Sequence, residues 1–433
     1  MKEFFCYTED GDNMRKRRVK VKKSFWIILI IVILLLIGLG CGFGYYKYQE
    51  HVNEELRIAK EKKLVKKIKS HYGEKVVVTK DTTLYKKDKK KYDVAARVST
   101  GEILNLDKID INKDTEYFYC KDLGYYISYK DVKPTTEEFI KDHRYKNYIV
   151  FNENVVTNEE VNLYRGEKLV YTLYESLDKP ILWKGDSGYY IEYLDEAFLV
   201  KNEEVLKTYA NTNTNAVEST SVPVTVYHFI YLEGDYSCNE AICHHESQIK
   251  EHFQYLNDNG YFTINTTELR YFIEGKLRLP EKVILITIDD GARAEKFIPF
   301  LEQYKINATL FLVSSWYDKE TFASPYMEIA SHTHNLHTPG VCSGGQGSPL
   351  KCLEWNALVS DLKTSRNHLQ TDAFCYPFYE LNDYAIRALK EAGFKMAFMG
   401  GHRQVTKGID LYRVPRIPLN RYTTLSQYAN LIK

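Results

Sequence analysis

A long run of apolar residues lies near the N-terminus of the chain. Residues 24–46 carry no charged side chain, and their central part, 25–39, consists mainly of Ile, Leu and Val. At a rise of about 1.5 Å per residue, a helix of this length spans the roughly 30 Å of a bilayer's hydrocarbon core. The pattern therefore predicts one transmembrane helix over 24–46. A cleaved signal sequence and a buried core helix are the alternatives.

The segments that flank this run differ in charge and in pattern. Basic residues crowd its N-terminal side, and they are Arg15, Lys16, Arg17, Arg18, Lys20, Lys22 and Lys23. The positive-inside rule then predicts a cytoplasmic tail over 1–23 and an external location for everything after residue 46. Residues 47–73 are rich in Glu and Lys, with apolar residues near helical spacing. They form either a helical stalk or a solvated linker.

Residues 74–205 show the pattern of small β structures. Short β-branched and aromatic runs are separated by turn residues, and the segment 124–132 is echoed by 188–196. We predict two all-β modules, 74–134 and 145–205, whose pattern resembles bacterial SH3-like domains. One larger β-sandwich without a binding function is the alternative.

The pattern changes again in the C-terminal half. Residues 206–221 are polar and lack apolar periodicity, which predicts a linker. Over 222–433, strand-like apolar runs alternate with helical ones. This alternation predicts an α/β domain with a parallel sheet, open or closed into a barrel.

Composition narrows the function classes. The 433 residues contain 59 Lys and Arg against 58 Asp and Glu, a net charge of +1. This balance removes the electrostatic argument for a nucleic-acid partner. Aromatic residues make up 14% of the chain, which is too many for a disordered protein. The close spacing of Cys238 with Cys243, and of Cys342 with Cys352, suggests two disulfides in the external part.

Two adjacent carboxylates end the apolar strand 284–288. Asp289 and Asp290 follow this strand directly, and Gly291 comes next. In parallel α/β folds the carboxyl ends of strands hold the active site. Two neighbouring acids are costly to bury unless one of them binds a metal or a proton.

A histidine cluster follows in the segment 328–337. It contains His332, His334 and His337. On a regular helix His332 and His337 would stand about 140° apart, so a loop must gather them. Neutral imidazoles plus one carboxylate make a three-ligand site with open positions. Such a site suits zinc or another divalent metal as a hydrolytic catalyst.

Taken together, these residues resemble the polysaccharide deacetylase family of carbohydrate esterases, also called the NodB-homology domain. Its Thr-Phe-Asp-Asp-Gly motif stands here as 287–291, and its His-Ser/Thr motif as His332-Thr333 with His337. The third motif, Arg-x-Pro-Tyr, appears as 375–378 without its Arg. The resemblance covers about residues 222–430 and implies a distorted (β/α) barrel. The five-residue histidine spacing resembles the subgroup that deacetylates poly-N-acetylglucosamine.

The resemblance also implies a ligand set and a base. Asp290, His332 and His337 would bind a divalent metal, most simply Zn²⁺. Asp289 would be the general base that takes a proton from the attacking water.

The third motif implies the oxyanion and substrate contacts, which we assign to Tyr376, Phe378 and Arg416, with a main-chain N–H near Phe378 holding the oxyanion. In the family, the Arg of this motif orients the catalytic Asp, and this chain lacks that Arg. Arg416 would replace it, with Arg413 as the alternative.

The general acid is absent from its usual place, because the C-terminal segment of this chain contains no His. An apolar strand at the start of the domain, 222–227, ends instead in His228. This order resembles a circularly permuted version of the family, so we predict His228 as the acid. His402 is the alternative, and a purely structural His228 is another.

These inferences predict a membrane-anchored, extracellular, metal-dependent enzyme that removes acetyl groups from N-acetylglucosamine in a surface polymer. Because of the anchor and the β modules, we predict peptidoglycan as the substrate and binding partner. Poly-N-acetylglucosamine is the alternative, favoured by the permuted order and the histidine spacing. A wall-binding protein that has lost catalytic activity is the alternative from another class.

Overall fold

The computed structural model describes residues 23–89, 91–112, 115–212, 216–235 and 238–433. The predicted cytoplasmic tail lies outside the described residues, apart from the backbone of its last residue. The chain divides into two compact units. Unit 1 comprises the residues up to Lys80 together with Ile103–Glu137, and unit 2 comprises Asp81–Glu102 together with Glu138–Lys433.

The helices of the described residues are α1 (Lys23–Tyr72), α2 (Glu246–Asp258), α3 (Thr266–Ile273), α4 (Ile298–Tyr304), α5 (Trp355–Leu369), α6 (Asp383–Ala392) and α7 (Leu425–Leu431). The strands of the N-terminal half are β1 (Lys75–Val78), β2 (Thr82–Asp88), β3 (Lys91–Val98), β4 (Ile103–Asn112), β5 (Thr115–Cys120), β6 (Tyr125–Ser128), β7 (Val132–Pro134), β8 (Glu153–Thr157), β9 (Val161–Arg165), β10 (Lys168–Leu173), β11 (Asp178–Pro180), β12 (Trp183–Lys184), β13 (Gly188–Tyr193), β14 (Glu196–Lys201) and β15 (Val205–Ala210). The strands of the C-terminal half are β16 (Ser221–Val222), β17 (Val224–Tyr227), β18 (Phe229–Tyr231), β19 (Cys243–His245), β20 (Phe262–Thr263), β21 (Val283–Asp290), β22 (Ala308–Leu312), β23 (Met327–Ser331), β24 (Ala373–Cys375), β25 (Met396–Gly400), β26 (Val405–Thr406) and β27 (Val414–Pro418).

Helix α1 joins the predicted span and the predicted stalk into one uninterrupted helix. Its apolar segment has a mean hydropathy of 3.0 and packs against no other part of the structure. By length and composition it is able to cross a membrane, and a signal sequence near the N-terminus has the same character. In the stalk, Arg57 forms ion pairs with Glu54 and Glu61 one turn away, which supports the helix.

The rest of unit 1 is an antiparallel sheet in the order β6-β5-β4-β1-β7. Its buried face includes Val76, Phe118 and Ile127. Val76 and Phe118 alternate with half-buried residues along β1 and β5, which is the pattern of a sheet with one face more deeply buried than the other.

The β part of unit 2 contains the sheet β12-β13-β14-β9-β10-β3-β2 and a small sheet β11-β8-β15. Strand β3 pairs with β10, so the hairpin 82–98 belongs to the same unit as 138–210. This grouping differs from the module boundaries predicted from the sequence. Strand β15 also extends into the predicted linker, because it pairs with β8. The domain boundaries and the SH3-like character of the modules remain predictions.

The C-terminal part of unit 2 is a closed parallel barrel. Seven strands follow each other around it in the order β17-β21-β22-β23-β24-β25-β27, and β27 pairs with β17 to close the circle. Strand β20 extends the sheet beside β21. This architecture confirms the predicted (β/α) barrel preceded by β structure and one apolar helix.

Strand β21 shows how the barrel is packed. Ile284, Ile286 and Ile288 belong to an outer core that includes residues of α2, α4 and α7, whereas Val283 and Leu285 belong to a second cluster. That cluster combines inward-facing side chains of the other barrel strands with residues of α3. Because both faces of the strand are covered, the whole run is apolar, as expected for a parallel sheet.

Both disulfides predicted from spacing are present, Cys238–Cys243 and Cys342–Cys352. Each closes a short loop in the C-terminal domain. Cys41, Cys120 and Cys375 are free cysteines of the described residues.

Candidate active site

A group of polar side chains meets at the end of the barrel where the parallel strands terminate. Its members are His228 after β17, Asp289 and Asp290 at the end of β21, His332 after β23, Cys375 at the end of β24 and Arg416 in β27. In β/α barrels the active site lies at this end, among the loops that follow the strands. Every member of this group except Cys375 has a role predicted from the sequence.

Asp289 and Arg416 form a buried, two-pronged ion pair. Arg416 Nη1 donates to Asp289 Oδ1 at 2.6 Å, and Arg416 Nη2 donates to Asp289 Oδ2 at 2.7 Å. The side chains are 2% and 0% exposed, respectively. Burial raises the pKa of Asp289, but the guanidinium charge and its hydrogen bonds outweigh burial, so this pKa lies below its ordinary value. Asp289 is therefore held as a carboxylate with a fixed orientation.

Cys375 makes room for this guanidinium. It occupies the position at which the third family motif has its Arg. Its Sγ lies 2.8 Å from Arg416 Nη2 and 3.6 Å from Asp289 Oδ2. Burial raises the pKa of the Cys375 thiol, so the thiol stays neutral. The small side chain leaves the space beside Asp289 to an Arg that comes from β27 instead of β24.

Asp290 enters the site through an unusual backbone conformation. Successive side chains of a strand point to opposite faces, so Asp290 would point outward where Asp289 points inward. Its φ of 74° departs from the strand conformation. Its Oδ1 lies 3.3 Å from His332 Nε2 and 3.2 Å from His337 Nε2. Both neighbouring carboxylates therefore serve one site, in different surroundings.

The loop after β23 brings the two histidines together, as their spacing requires. Thr333 has a left-handed φ of 80°, which turns the chain at once after His332. The carboxylate of Asp361 accepts hydrogen bonds from the main-chain N–H groups of residues 334 and 335, at 2.9 and 2.8 Å. As a result, the ring centroids of His332 and His337 lie 4.8 Å apart.

Of the three histidines in this loop, His332 and His337 face Asp290, whereas His334 does not. His332 Nδ1 lies 2.8 Å from the carbonyl oxygen of Cys375, which can only accept. Nδ1 therefore carries the hydrogen, and the lone pair of the neutral ring is on Nε2, which faces Asp290. His334 bonds elsewhere, with its Nδ1 3.0 Å from Ser314 Oγ.

Asp290, His332 and His337 fit a divalent cation. Each offers one ligand atom, and these atoms lie within 4.8 Å of one another. A tetrahedral zinc with bonds of about 2.0–2.2 Å holds neighbouring ligand atoms about 3.3–3.5 Å apart. The distances of 3.2 and 3.3 Å from Asp290 Oδ1 agree with this geometry.

A second group of potential ligands, Asp289, His332 and Cys375, is equally compact. However, the Arg416 guanidinium already bonds both carboxylate oxygens of Asp289. A metal cation bound there would face this positive charge. The first group is therefore the better cation site.

His228 lies beside Asp289, with its Nε2 3.9 Å from Asp289 Oδ2. Burial lowers the pKa of His228, and the nearby carboxylates of Asp289 and Asp290 oppose this effect without cancelling it. The alternative acid, His402, lies exposed on the loop between β25 and β26.

Tyr376 requires a correction. Because Cys375 points into the barrel, the next side chain points to the outer core, where it packs among residues of α5 and α6. The Tyr376 hydroxyl donates to Tyr412 O at 3.0 Å, and its main-chain N–H donates to Phe398 O at 3.0 Å. Neither group reaches the site, so the predicted substrate contact is wrong for Tyr376.

The other residues assigned through the third motif lie in different places. Phe378 has a left-handed φ of 58°, and its ring centroid lies 4.6 Å from that of His337, at the rim of the site. Arg416 is fully buried against Asp289 and does not contact solvent. Arg413 lies at the surface and pairs with Asp383.

Trp316 also lies at the site and was not predicted from the sequence. This side chain is 46% exposed, and its ring centroid lies 5.2 Å from that of His337. It follows β22 by a few residues, in the segment Ser314–Asp318. The position after a barrel strand was the available signal, since loops at this end surround the active site.

Comparison with known proteins agrees with the geometry. Residues 276–397 match the family model described as polysaccharide deacetylase, which confirms the resemblance stated from the motifs. Poly-β-1,6-N-acetyl-D-glucosamine N-deacetylase of Escherichia coli K12 is 26% identical in an alignment 236 residues long, which covers 43% of this chain and 35% of that protein. The enzyme of the same name from Staphylococcus aureus N315 is 26% identical in an alignment 195 residues long, which covers 40% of this chain and 66% of that protein. The alignments thus span about a third to two thirds of these relatives.

Among solved structures, a de-N-acetylase from Aggregatibacter actinomycetemcomitans matches 48% of this chain and 99% of its own, with 25% identity and a TM-score of 0.42.

We expect that Arg416→Met lowers the free energy of unfolding by about 3–5 kcal/mol at pH 7, because it leaves the Asp289 carboxylate buried and unpaired. The pKa of Asp289 is lower in the folded chain than the unfolded value of about 3.9. The ion pair therefore stabilises the fold above roughly pH 4, and this contribution disappears as the pH falls through the folded-state pKa. Urea unfolding at several pH values measures both effects.

The surface substitution Arg413→Met is the matched control, with an expected loss of about 0–1 kcal/mol. Equal stability of Arg416→Met and the natural chain at pH 7 would contradict the ion-pair assignment.

We expect that Asp290→Asn and His337→Gln each weaken Zn²⁺ binding by at least about 100-fold, since even outer partners of metal ligands contribute about 10–100-fold. Competition with a chromophoric chelator measures this affinity. His334→Gln is the matched control in the same loop, and it should bind Zn²⁺ normally. Equal weakening in all three variants would show that the loop, and not its ligands, determines the affinity.

Proposed function

We propose that this chain, whose residues 276–397 carry a polysaccharide deacetylase domain, is a hydrolase that removes acetyl groups from poly-β-1,6-N-acetylglucosamine. The observation that carries the proposal is the pairing of Asp289 with Arg416 directly beside the ligand group of Asp290, His332 and His337. The names of the relatives favour this polymer over peptidoglycan, which the sequence analysis placed first on its accessory segments. Peptidoglycan is the second candidate.

Asp289 is the general base of the proposed reaction. Its carboxylate is buried, ionised and fixed in orientation by Arg416. It accepts a proton from the water that attacks the acetamide carbon, while a new C–O bond forms. A base held in place before the substrate binds needs no reorganisation during the reaction.

Asp290, His332 and His337 would hold a divalent cation, and Zn²⁺ suits their nitrogen and oxygen donors. Such a cation supplies Lewis-acid polarisation of the acetamide carbonyl. His332 is oriented for this role by the carbonyl of Cys375, and His337 by contacts with Trp316 and Phe378. The main-chain N–H of Phe378, at the rim, is the proposed additional donor to the oxyanion.

His228 is the proposed acid. Its Nε2 lies 3.9 Å from Asp289 Oδ2, within the group of polar side chains at the end of the barrel. When the C–N bond breaks, the amine nitrogen takes the proton from Nε2, and acetate leaves as the second product. The proton taken up by Asp289 and the proton released by His228 balance the hydrolysis of one amide.

Helix α1 is the proposed membrane anchor. Its apolar segment and the basic residues before it favour a cytoplasmic N-terminus and an external catalytic domain. An external enzyme would meet its polymer at the cell surface. A signal sequence that is cleaved would give the same location without the anchor.

We expect the purified full chain, in detergent and with Zn²⁺ restored after chelation, to release acetate from poly-β-1,6-N-acetylglucosamine. Asp289→Asn should lower kcat by about 10²–10⁴-fold, because it removes the base. Release from peptidoglycan alone would reverse the choice of substrate. No release from either polymer, with Zn²⁺ bound, would favour the inactive wall-binding alternative.

We expect Trp316→Ala to raise KM about tenfold with little change in kcat. The exposed ring beside His337 offers a flat apolar surface for a sugar ring, and such aromatic contacts contribute about 0.5–1.5 kcal/mol. An interaction made equally with substrate and transition state changes KM alone. Trp316→Phe, which keeps a ring, is the control and should change KM less. A fall in kcat at constant KM would contradict this role.

A further inference from the structure

The loop 340–352 begins three residues after the proposed metal ligand His337. Its disulfide, Cys342–Cys352, closes the loop covalently. In the stem of the loop, the main-chain N–H of Gly340 donates to the carbonyl oxygen of Gln346 at 2.8 Å. Two further main-chain N–H groups next to Gly340 donate across the stem at 2.9 and 3.0 Å. A constraint on the far side of the loop therefore reaches the chain just after His337.

The carboxylate of Glu380 supplies such a constraint. One of its oxygens accepts a hydrogen bond from the main-chain N–H of Gln346. The other oxygen accepts from the main-chain N–H of Ser348 at 2.9 Å and lies 2.8 Å from Lys351 Nζ. The ammonium of Lys351 also donates to two carbonyl oxygens of the loop, at 2.6 and 3.3 Å. The Glu380 side chain is only 13% exposed, and all three of these donors belong to the loop.

Gly345 allows the carboxylate to come this close. Its φ of 63° lies in the left-handed region, which glycine adopts without a steric cost. A Cβ at this position would collide with the carboxylate of Glu380. Main-chain N–H groups that converge in such a turn form a concave site for an anion. In this loop the anion is a side chain of the same domain.

Glu380 also lies close to the other wall of the metal site. It follows Phe378 by two residues, and the ring centroid of Phe378 lies 4.6 Å from that of His337. Within the part of the chain that the structure describes, the His337 ring has no hydrogen-bond partner besides Asp290, and its other ring contact is with Trp316. The Glu380 carboxylate thus joins the two chain segments that meet at this ring.

We propose that Glu380 is a positioning residue for the metal site: it holds the loop 340–352 against the turn at Phe378 and so fixes the position of His337. This inference rests on the proposed function, in which His337 is a metal ligand. Contacts that orient metal ligands from outside contribute about 10–100-fold to metal affinity. Glu380 itself contacts neither the metal nor the substrate.

The loop has anchors that do not depend on Glu380. Leu350 is fully buried among residues of α5 and α6. The side-chain amide of Asn382 donates to the carbonyl oxygen of Lys351 at 3.0 Å. The disulfide remains when Glu380 is replaced. Loss of the carboxylate should therefore loosen the stem and the glycine-rich part of the loop while the domain stays folded.

The test measures the Zn²⁺ affinity of the full chain in detergent by competition with a chromophoric chelator. We expect Glu380→Ala to weaken Zn²⁺ binding about tenfold. Amide hydrogens of the loop 340–352 should exchange faster in this variant, with Zn²⁺ removed. Glu380→Gln keeps the shape and one acceptor oxygen, so it should restore part of the affinity. Lys351→Met removes a partner of the carboxylate and replaces Glu380→Ala if that variant does not fold.

Glu354→Ala is the matched control, because its carboxylate also binds a main-chain N–H. Glu354 accepts from Ala357 at 3.0 Å at the start of α5, outside the loop 340–352. This variant should lower thermal stability and leave the Zn²⁺ affinity unchanged. Equal weakening of Zn²⁺ binding in Glu354→Ala and Glu380→Ala would show a general structural effect and overturn the proposal. Unchanged affinity in folded Glu380→Ala would overturn it as well.

The failure of this inference is distinguishable from that of the proposed function, because the Zn²⁺ measurement needs no polymer. If the natural chain releases acetate and folded Glu380→Ala binds Zn²⁺ normally, only the positioning role is overturned. If the natural chain binds Zn²⁺ but releases no acetate, the proposed function is overturned, and a weaker affinity of Glu380→Ala still supports the positioning role. If the natural chain binds no Zn²⁺, both are overturned.

Discussion

The buried ion pair between Asp289 and Arg416 is the interaction on which the rest of the site depends. Taking two charges out of water is costly, and only a well-aligned pair with further hydrogen bonds offsets that cost. The two residues come from β21 and β27, and β17 lies between these strands in the closed barrel. His228, which follows β17, therefore emerges beside the pair. Closing the barrel brings Asp289, its partner Arg416 and the proposed acid His228 together.

Backbone strain aims the remaining side chains. Asp290, Thr333, Phe378 and Tyr379 all have φ between 58° and 80°, a region that costs non-glycine residues about 1–3 kcal/mol each. Each lies where a strand gives way to a loop of the site. Gly291 completes the first of these turns with a φ of 104°, and a Cβ there would lie 2.6 Å from a side-chain carbon of Leu312. The strained turns persist because the packed barrel beneath them fixes both ends.

Short motifs were predictable because their residues lie close together in the sequence, as in the segments 287–291 and 332–337. Strand phase was harder to predict. Cys375 and Tyr376 are adjacent, yet Cys375 faces the barrel interior and Tyr376 faces the outer core. The motif does not show which of its residues face inward, so the prediction misplaced Tyr376. The sequence also left Arg413 as an alternative to Arg416. The structure separates them, because Arg416 is buried against Asp289 and Arg413 lies at the surface. The β structure of the hairpin 82–98 was predicted, but its pairing with β10 was not, because that pairing joins segments far apart in sequence.

The two adjacent carboxylates differ in what neutralises them, and this difference separates their roles. Asp289 faces a permanent cation, since a guanidinium does not lose its proton at any ordinary pH. Asp290 faces two imidazoles that are neutral when they bind a metal. A cation at Asp290 leaves Asp289 free to accept a proton, whereas a cation at Asp289 would have to displace Arg416. When the surroundings of two neighbouring titratable groups differ, their pKa values differ too, and this difference helps to identify the group that exchanges protons. The position of one arginine therefore supports the proposed roles of Asp289 as the base and Asp290 as the ligand.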